Sequence, residues 1–472
     1  MMNKVSSFFN IENKKHSKLI LILLSLILFT GIFSVFTRYP MSWYDEQVHY
    51  ARVLTYSNNL SASAEGYISE SEQELLSKSM GKISQSLGQE THEILSLNWK
   101  EDFKGLSKSD KLIKTKDSAA AAIYTPFVYT PYIIAVWLAK LFSLSTISTF
   151  LFVRMVGFLT VFIMLIFALR KIPFGKLSML IIASIPTVTL SFTAISADTL
   201  TYGLIFLYTA QFLYIYQSLS LEKHVTNRDL VFLLIYSIGL VFSKVPSFAL
   251  VGLYIPLIYI GSKYKILSKK WRLILTSAIF LCAFLTVAWL LMIRNLNANV
   301  SYYGFKNIDQ AKQISFIIQH PLRTIKVFVD SILNYPYFNF QLGYSDFTKA
   351  MYVPTLVSFF SILSFFYSFR IQDNNQSIIR KESRILYNIF SKIVFIGIVV
   401  LIFLIFYLQN TEVGSESITG LQARYFFPFL VLLIPFSNGK NVLDDILSDK
   451  IIYLSSIPLI YYLLLMIYQL RN

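Results

Sequence analysis

The sequence predicts an all-α integral membrane protein with about eleven transmembrane helices (10–13) and a large first external loop. Three observations predict it. Only 14% of the residues are charged, whereas a soluble domain carries about 25%. Mean hydropathy is +0.56. Apolar runs of spanning length recur along the 472 residues, with basic residues gathered between them. The formal charge of +16 therefore reads as a topology signal and not as a nucleic-acid footprint. One cysteine, Cys282, lies inside an apolar run and allows no disulfide within the chain.

Residues 1–18 form a basic N-terminal segment with Lys4, Lys14, Lys15 and Lys18. The apolar run 19–36 is longer than the roughly 7–15 residues of a signal-peptide core and lacks a small-x-small cleavage site, so it predicts an uncleaved first span. Further spans are predicted at 148–168, 177–195, 199–218, 229–244, 246–261 and 272–292, within the segment 148–292. Four more follow at 352–370, 391–408, 421–436 and 451–469, within the segment 352–472. The run 123–142 is also apolar but is broken by Pro126 and Pro131. If it stays on one side, the basic clusters at 170–176, 223–228, 263–272, 370–392 and 440–450 all fall inside. The positive-inside rule favours that arrangement, with a cytoplasmic N-terminus.

Two long external segments result, 37–147 and 293–351. The first carries a polar middle, Ser61 to Asp117, which predicts a small helical insertion or a partly mobile stretch. In the second, Pro321 begins a helix after His320, with Leu322, Ile325, Phe328, Val329 and Ile332 on one face. Such a helix suits the interface plane. There is no glycine-rich phosphate loop and no soluble catalytic domain.

Charge close to a span is costly, so each instance calls for a reason. Asp45, Glu46 and His49 follow the first span. An external carboxylate there can act as a general base toward a hydroxyl; equally, Asp45 can simply cap a short helix. A divalent metal on these three is an option, weakly signalled without further His or Cys. Asp198, in Ser196-Ala197-Asp198, is either an N-cap or a second acid facing the same place. Arg154 sits a turn or two into its span, where it either snorkels or meets a carboxylate or phosphate. Lys244, before Pro246, and Arg424-Tyr425 suit a lipid-borne phosphate or the headgroup layer. All of these map to the external side under one topology, which predicts a single polar site between helices.

At these residues the chain resembles the DUF2142 family of bacterial membrane proteins. The resemblance rests on Asp45-Glu46 with His49, Tyr124-Thr125-Pro126 with Tyr129-Thr130-Pro131, Ser196-Ala197-Asp198, the Lys244 turn, and Gln422-Ala423-Arg424-Tyr425-Phe426 with Pro428. That family in turn is similar to the GT-C superfamily of membrane glycosyltransferases. The second resemblance implies a GT-C-like fold in the bacterial plasma membrane. It also implies a polyprenyl-phosphate sugar as donor and a cell-surface glycan or cell-wall polymer as acceptor on the external face. Asp45 then corresponds in position to the base, and Pro126, Pro131 and Arg154 to a proline-rich stretch and a following arginine. A polymerase of lipid-diphosphate-linked units and a lipid-linked glycan flippase are the alternative readings.

Overall fold

The computed structural model describes residues 7–9, 14–60, 63–87, 99–106, 109–297, 308–338, 340, 342, 353–369, 379–436 and 453–471. The predicted first span is helix α1, Lys14–Thr37. A short loop leads to α2, Glu46–Asn58. The polar insertion holds a strand β1, Gly66–Ser69, a helix α3, Glu70–Leu87, and a strand β2, Leu112–Thr115. The strands pair antiparallel, Gly66 opposite Thr115. Ser69 and Glu72 cap α3 reciprocally: the Ser69 hydroxyl accepts from the Glu72 amide, and the Glu72 carboxylate accepts from the Ser69 amide at 2.7 Å. This small sheet departs from the all-helical expectation. Gly66 lets it lie on α2, because a Cβ there would fall 1.9 Å from a Thr55 methyl.

The run broken by two prolines becomes a pair of 3-10 turns, Ala119–Ile123 and Pro126–Tyr129, then α4, Thr130–Leu141. Those 12 helical residues rise about 18 Å at 1.5 Å each, short of a hydrocarbon core of about 30 Å. Next come α5, Thr146–Lys171, and a broken pair, α6, Lys176–Ala183, and α7, Pro186–Thr193, bent by 69°. Pro186 supplies the break, having no amide to continue α6.

Helix α8, Ala197–Ser220, is the axis of the bundle, buried on almost every side and packed on α5 and on α9, Asn227–Val241. Its Thr, Tyr and Gln residues keep it below the apolar composition of a lipid-facing span. A helix surrounded by protein needs no apolar outer face. The 3-10 segment Val245–Leu253 runs into α10, Tyr254–Lys263. Helix α11, Lys269–Asn297, does the opposite of α8, exposing Phe280, Phe284 and Met292.

Beyond it lie α12, Gln310–Gln319, and α13, Pro321–Asn334, which starts at the proline named from sequence and exposes Leu322, Ile325 and Val329. Then follow α14, Thr355–Ser368, α15, Lys381–Gln409, and α16, Ile457–Arg471. The run 421–436, expected as a helical span, is instead built of 3-10 turns at Ala423–Tyr425 and Phe427–Leu433. Pro428 restricts Phe427 and denies the α-helix an amide.

Among the described residues, five helices are long and apolar enough to cross a membrane, or six if the bent pair is one span. α4, α14 and the helical stretch Leu454–Ile467 are apolar but shorter.

Candidate active site

The charged residues selected from sequence meet at the end of the bundle where α1 stops and α5 and α8 begin. The construction starts with a sealed ion pair. Glu46, the first residue of α2, is 0% exposed and takes Arg154 from α5 in a fork of 2.8 and 2.5 Å. Arg154 also donates to the carbonyls of Arg38 at 3.1 Å and Tyr39 at 3.2 Å. The Ile195 amide donates to Glu46 at 3.1 Å. One buried pair thus joins α5, the loop after α1 and the turn before α8. Of the two readings of Arg154, the carboxylate partner is the one found.

Asp45 goes the other way. It sits at the N-cap position of α2 but makes no side-chain cap hydrogen bond. Its backbone is left-handed, φ 59°, which aspartate tolerates better than most residues. Its side chain is 54% exposed and reaches Arg424, whose Nη2 lies 3.3 Å from Oδ2. The capping reading of Asp45 is therefore replaced by an ion pair across the chain.

Asp198 is likewise not the cap of its helix. Ser196 is, accepting from the Asp198 amide at 3.1 Å. The Asp198 carboxylate is left for charge partners. Asp198 is ion-paired with Lys244, and its other oxygen lies 3.6 Å from Arg424 Nε. Two hydroxyl contacts hold this turn: Tyr132 donates to the Ala194 carbonyl at 2.9 Å, and Thr199 donates to the Ser191 carbonyl at 2.9 Å. Lys244 comes from the residue before the 3-10 segment at Val245, and Arg424 from the 3-10 turn at Ala423–Tyr425. Tyr202 on α8 fixes that turn by donating to the Arg424 carbonyl at 2.5 Å.

Aromatic rings close round the cations. Arg424 Cζ lies 5.2 Å from the ring centres of both Tyr44 and Tyr425, and 5.8 Å from Trp43. Lys244 Nζ is 4.9 Å from Tyr425 and 5.6 Å from Tyr124. Such faces hold desolvated cations that carboxylates alone do not enclose. The Tyr425 hydroxyl is 3.4 Å from Arg424 Nη2.

His49 lies one turn along α2 and pairs through Nδ1 with the Tyr129 hydroxyl at 2.6 Å. Burial pushes its imidazole down to about 3; Asp198 opposes this, and Lys244 and Arg424 add to it. The ring is therefore neutral at physiological pH, a hydrogen-bond partner and not a proton carrier.

The three side chains considered as metal ligands diverge: Asp45 to Arg424, Glu46 to Arg154, His49 to Tyr129. Among the described residues, no group of three or more His, Cys, Asp or Glu residues has the spacing to hold a metal ion. Sequence reasoning brought together Asp45, Asp198, Lys244, Arg424 and Tyr425. It placed neither Arg38, which follows the first span where a snorkelling arginine is ordinary, nor the ring of Trp43 in the cluster.

The family profile described as "Predicted membrane protein (DUF2142)" matches residues 28–433. The match takes in every residue of this cluster. No curated protein and no solved structure matches the chain significantly.

Proposed function

The chain belongs to the DUF2142 family of predicted membrane proteins, and from that premise we propose that it is a membrane glycosyltransferase. In this reading it moves a sugar from a polyprenyl-phosphate carrier to a cell-surface glycan or cell-wall polymer. The fold is GT-C-like, with about eleven spans counting the shorter segments. It lies in the bacterial plasma membrane with a cytoplasmic N-terminus and the Asp45 cluster on the external face, as the basic residues favour.

One observation supports the reading most: a half-exposed carboxylate, Asp45, touches the buried cation Arg424, and a second cation, Lys244, is held by Asp198 next to the same arginine. Transfer needs both. The acceptor hydroxyl gives its proton to Asp45 as its oxygen bonds to the anomeric carbon. The bond from that carbon to the phosphate oxygen breaks. The polyprenyl phosphate leaves with one more negative charge than it carried as a diester. Preformed cations in a desolvated site stabilise that charge without reorganisation. Asp198 keeps Lys244 in place, and the neutral His49 fixes Tyr129 beside the base's helix. The Glu46–Arg154 pair orients the loop that carries Asp45.

The test is made in the host cell. The gene is deleted and restored with wild type or with Asp45→Asn at matched membrane abundance, and the envelope glycan is analysed by mass spectrometry. A sugar substituent should vanish on deletion and return with wild type only. Removing a general base lowers rate by about 10²–10⁴-fold, so Asp45→Asn should leave no detectable substituent. An unchanged glycan, or full restoration by Asp45→Asn, ends this reading and brings the flippase forward.

A further inference from the structure

Arg38 is the residue that the arrangement above leaves unexplained. It directly follows α1, is 4% exposed, and donates only a long Nη1 contact of 3.4 Å to the Thr193 hydroxyl. Its Nη2 has no hydrogen-bond partner among the described residues. The guanidinium lies over Trp43, with Cζ 4.9 Å from the ring centre. Trp43 is itself fully buried, and its Nε1 likewise lacks a partner. Arg424 approaches the same ring at 5.8 Å, and its Nε also lacks a hydrogen bond.

The charges show the same gap. Glu46 answers Arg154, Asp198 answers Lys244, and Asp45 answers Arg424. Among the described residues no carboxylate lies within ion-pair distance of Arg38: Glu46 attracts it from farther off, and the repulsion from Arg154 is the larger of the two. A buried charge without a counterion is strongly disfavoured, and a buried donor without an acceptor adds to the cost. One negative charge with several acceptor oxygens would remove both deficits. A guanidinium fork suits phosphate in particular. The position fixes how such a phosphate arrives: the predicted membrane-crossing stretch of α1 ends at Thr37, the residue before. On that boundary, set by length and composition, Arg38 falls at headgroup depth next to the apolar stretch of α1.

We propose that Arg38, Trp43 and Arg424 form a seat for a singly charged phosphodiester borne on a lipid. Identifying that lipid as the sugar donor rests on the transferase reading; the seat itself does not. A polyprenyl phosphosugar is such a monoanionic diester, and so is the headgroup of phosphatidylglycerol. Arg38 would hold the diester charge already present in the ground state. Arg424 would meet the charge that appears as the leaving group departs.

Binding is measured on full-length protein in neutral detergent with no acceptor present, so no turnover is required. The probes are geranyl phosphoglucose, phosphatidylglycerol and inorganic phosphate, read by native mass spectrometry and by tryptophan fluorescence. Geranyl phosphoglucose should bind wild type, and Arg38→Gln should weaken it at least tenfold. Trp43→Phe should weaken it by a smaller factor. Arg38→Lys, which keeps the charge without the fork, should fold and bind between the two. If phosphatidylglycerol shows the same Arg38 dependence, the seat stands and its occupant is a bulk lipid. If geranyl phosphoglucose alone shows it, the seat stands and the occupant is the donor. Arg38→Gln or Arg38→Lys binding as tightly as wild type overturns the proposal, as does binding of inorganic phosphate alone. Arg38-dependent binding in a protein that never forms a glycosidic bond would keep the seat and reject the transferase.

Discussion

Asp45 and Glu46 are adjacent carboxylates with opposite surroundings. Glu46 is 0% exposed and locked to Arg154; Asp45 is 54% exposed and touches Arg424 at 3.3 Å. The difference arises in one backbone residue. A left-handed Asp45 turns the chain so that its side chain leaves the bundle while Glu46 begins α2 and enters it. The two pairs accordingly suit different work. A fully hydrogen-bonded, buried pair fixes geometry, whereas a long, half-exposed one can give way to a substrate.

The largest effect should come from breaking the sealed pair. Glu46→Gln or Arg154→Gln leaves one buried charge without its partner, a loss of about 3–5 kcal/mol. Thermal unfolding in detergent should show either variant far below wild type. The double variant Glu46→Gln with Arg154→Met should recover part of the loss, since neither member of the pair is then left charged without the other. A single variant that melts like wild type would mean that the pair fixes nothing.

The same comparison is broken from the other side by Asp45→Gly. Glycine takes the left-handed conformation without a Cβ penalty of about 1–2 kcal/mol for an ordinary residue. Stability should therefore hold or rise slightly, while transfer activity falls about 10²–10⁴-fold with the base gone. Destabilisation on the scale of Glu46→Gln would show that Asp45, too, is structural.

This contrast also marks what was legible in the sequence. Apolar runs located α1, α5, α11 and α15, because a lipid-facing or bundle-facing helix must be apolar over its length. The cost of charge near such runs singled out Asp45, Arg154, Asp198, Lys244 and Arg424, and four of these meet in one ion cluster, with Arg154 one layer behind. The direction of each side chain was not legible. Asp45, Glu46 and His49 stand together after the first span, but the left-handed Asp45 lies outside the helix and sends its carboxylate to Arg424, 379 positions away. Ser196, not Asp198, caps α8, since either residue type suits the position. Strand pairing of Gly66–Ser69 with Leu112–Thr115 joins two four-residue segments, too short for a periodicity to declare. The apolar run at 421–436 had the composition of a span, and only the backbone limits set by Pro428 turn it into 3-10 structure.

A smaller effect is expected from His49 under acid. Its folded value of about 3 lies below the ordinary 6.5. Below pH 6.5 the unfolded chain takes up a proton that the folded chain refuses until about pH 3. Stability from this group is therefore whole above 6.5 and lost as pH falls toward 3, by about 1.4 kcal/mol per unit. Melting curves at pH 7 and pH 5 should differ more for wild type than for His49→Gln. Equal differences would mean that the imidazole is not held neutral.

The smallest effect tests how the open half of the site is held in register. Ser196→Ala removes the α8 cap, at a cost of about 0.5–2 kcal/mol. It leaves every charge in place, so it separates cap loss from charge loss. The Asp198 amide then lacks its acceptor, and the first turn of α8, which aims the Asp198 carboxylate at Lys244, is held less firmly. Melting should fall modestly, and transfer should fall with it, because the turn that aims Asp198 at Lys244 is looser. Ser196→Asn restores a capping acceptor of similar reach and should restore both quantities. If Ser196→Ala lowers melting but leaves transfer untouched, the Asp198–Lys244 pair does not depend on the cap. The open half of the site would then be held by the Tyr132 and Thr199 contacts and by Tyr202 at the Arg424 turn.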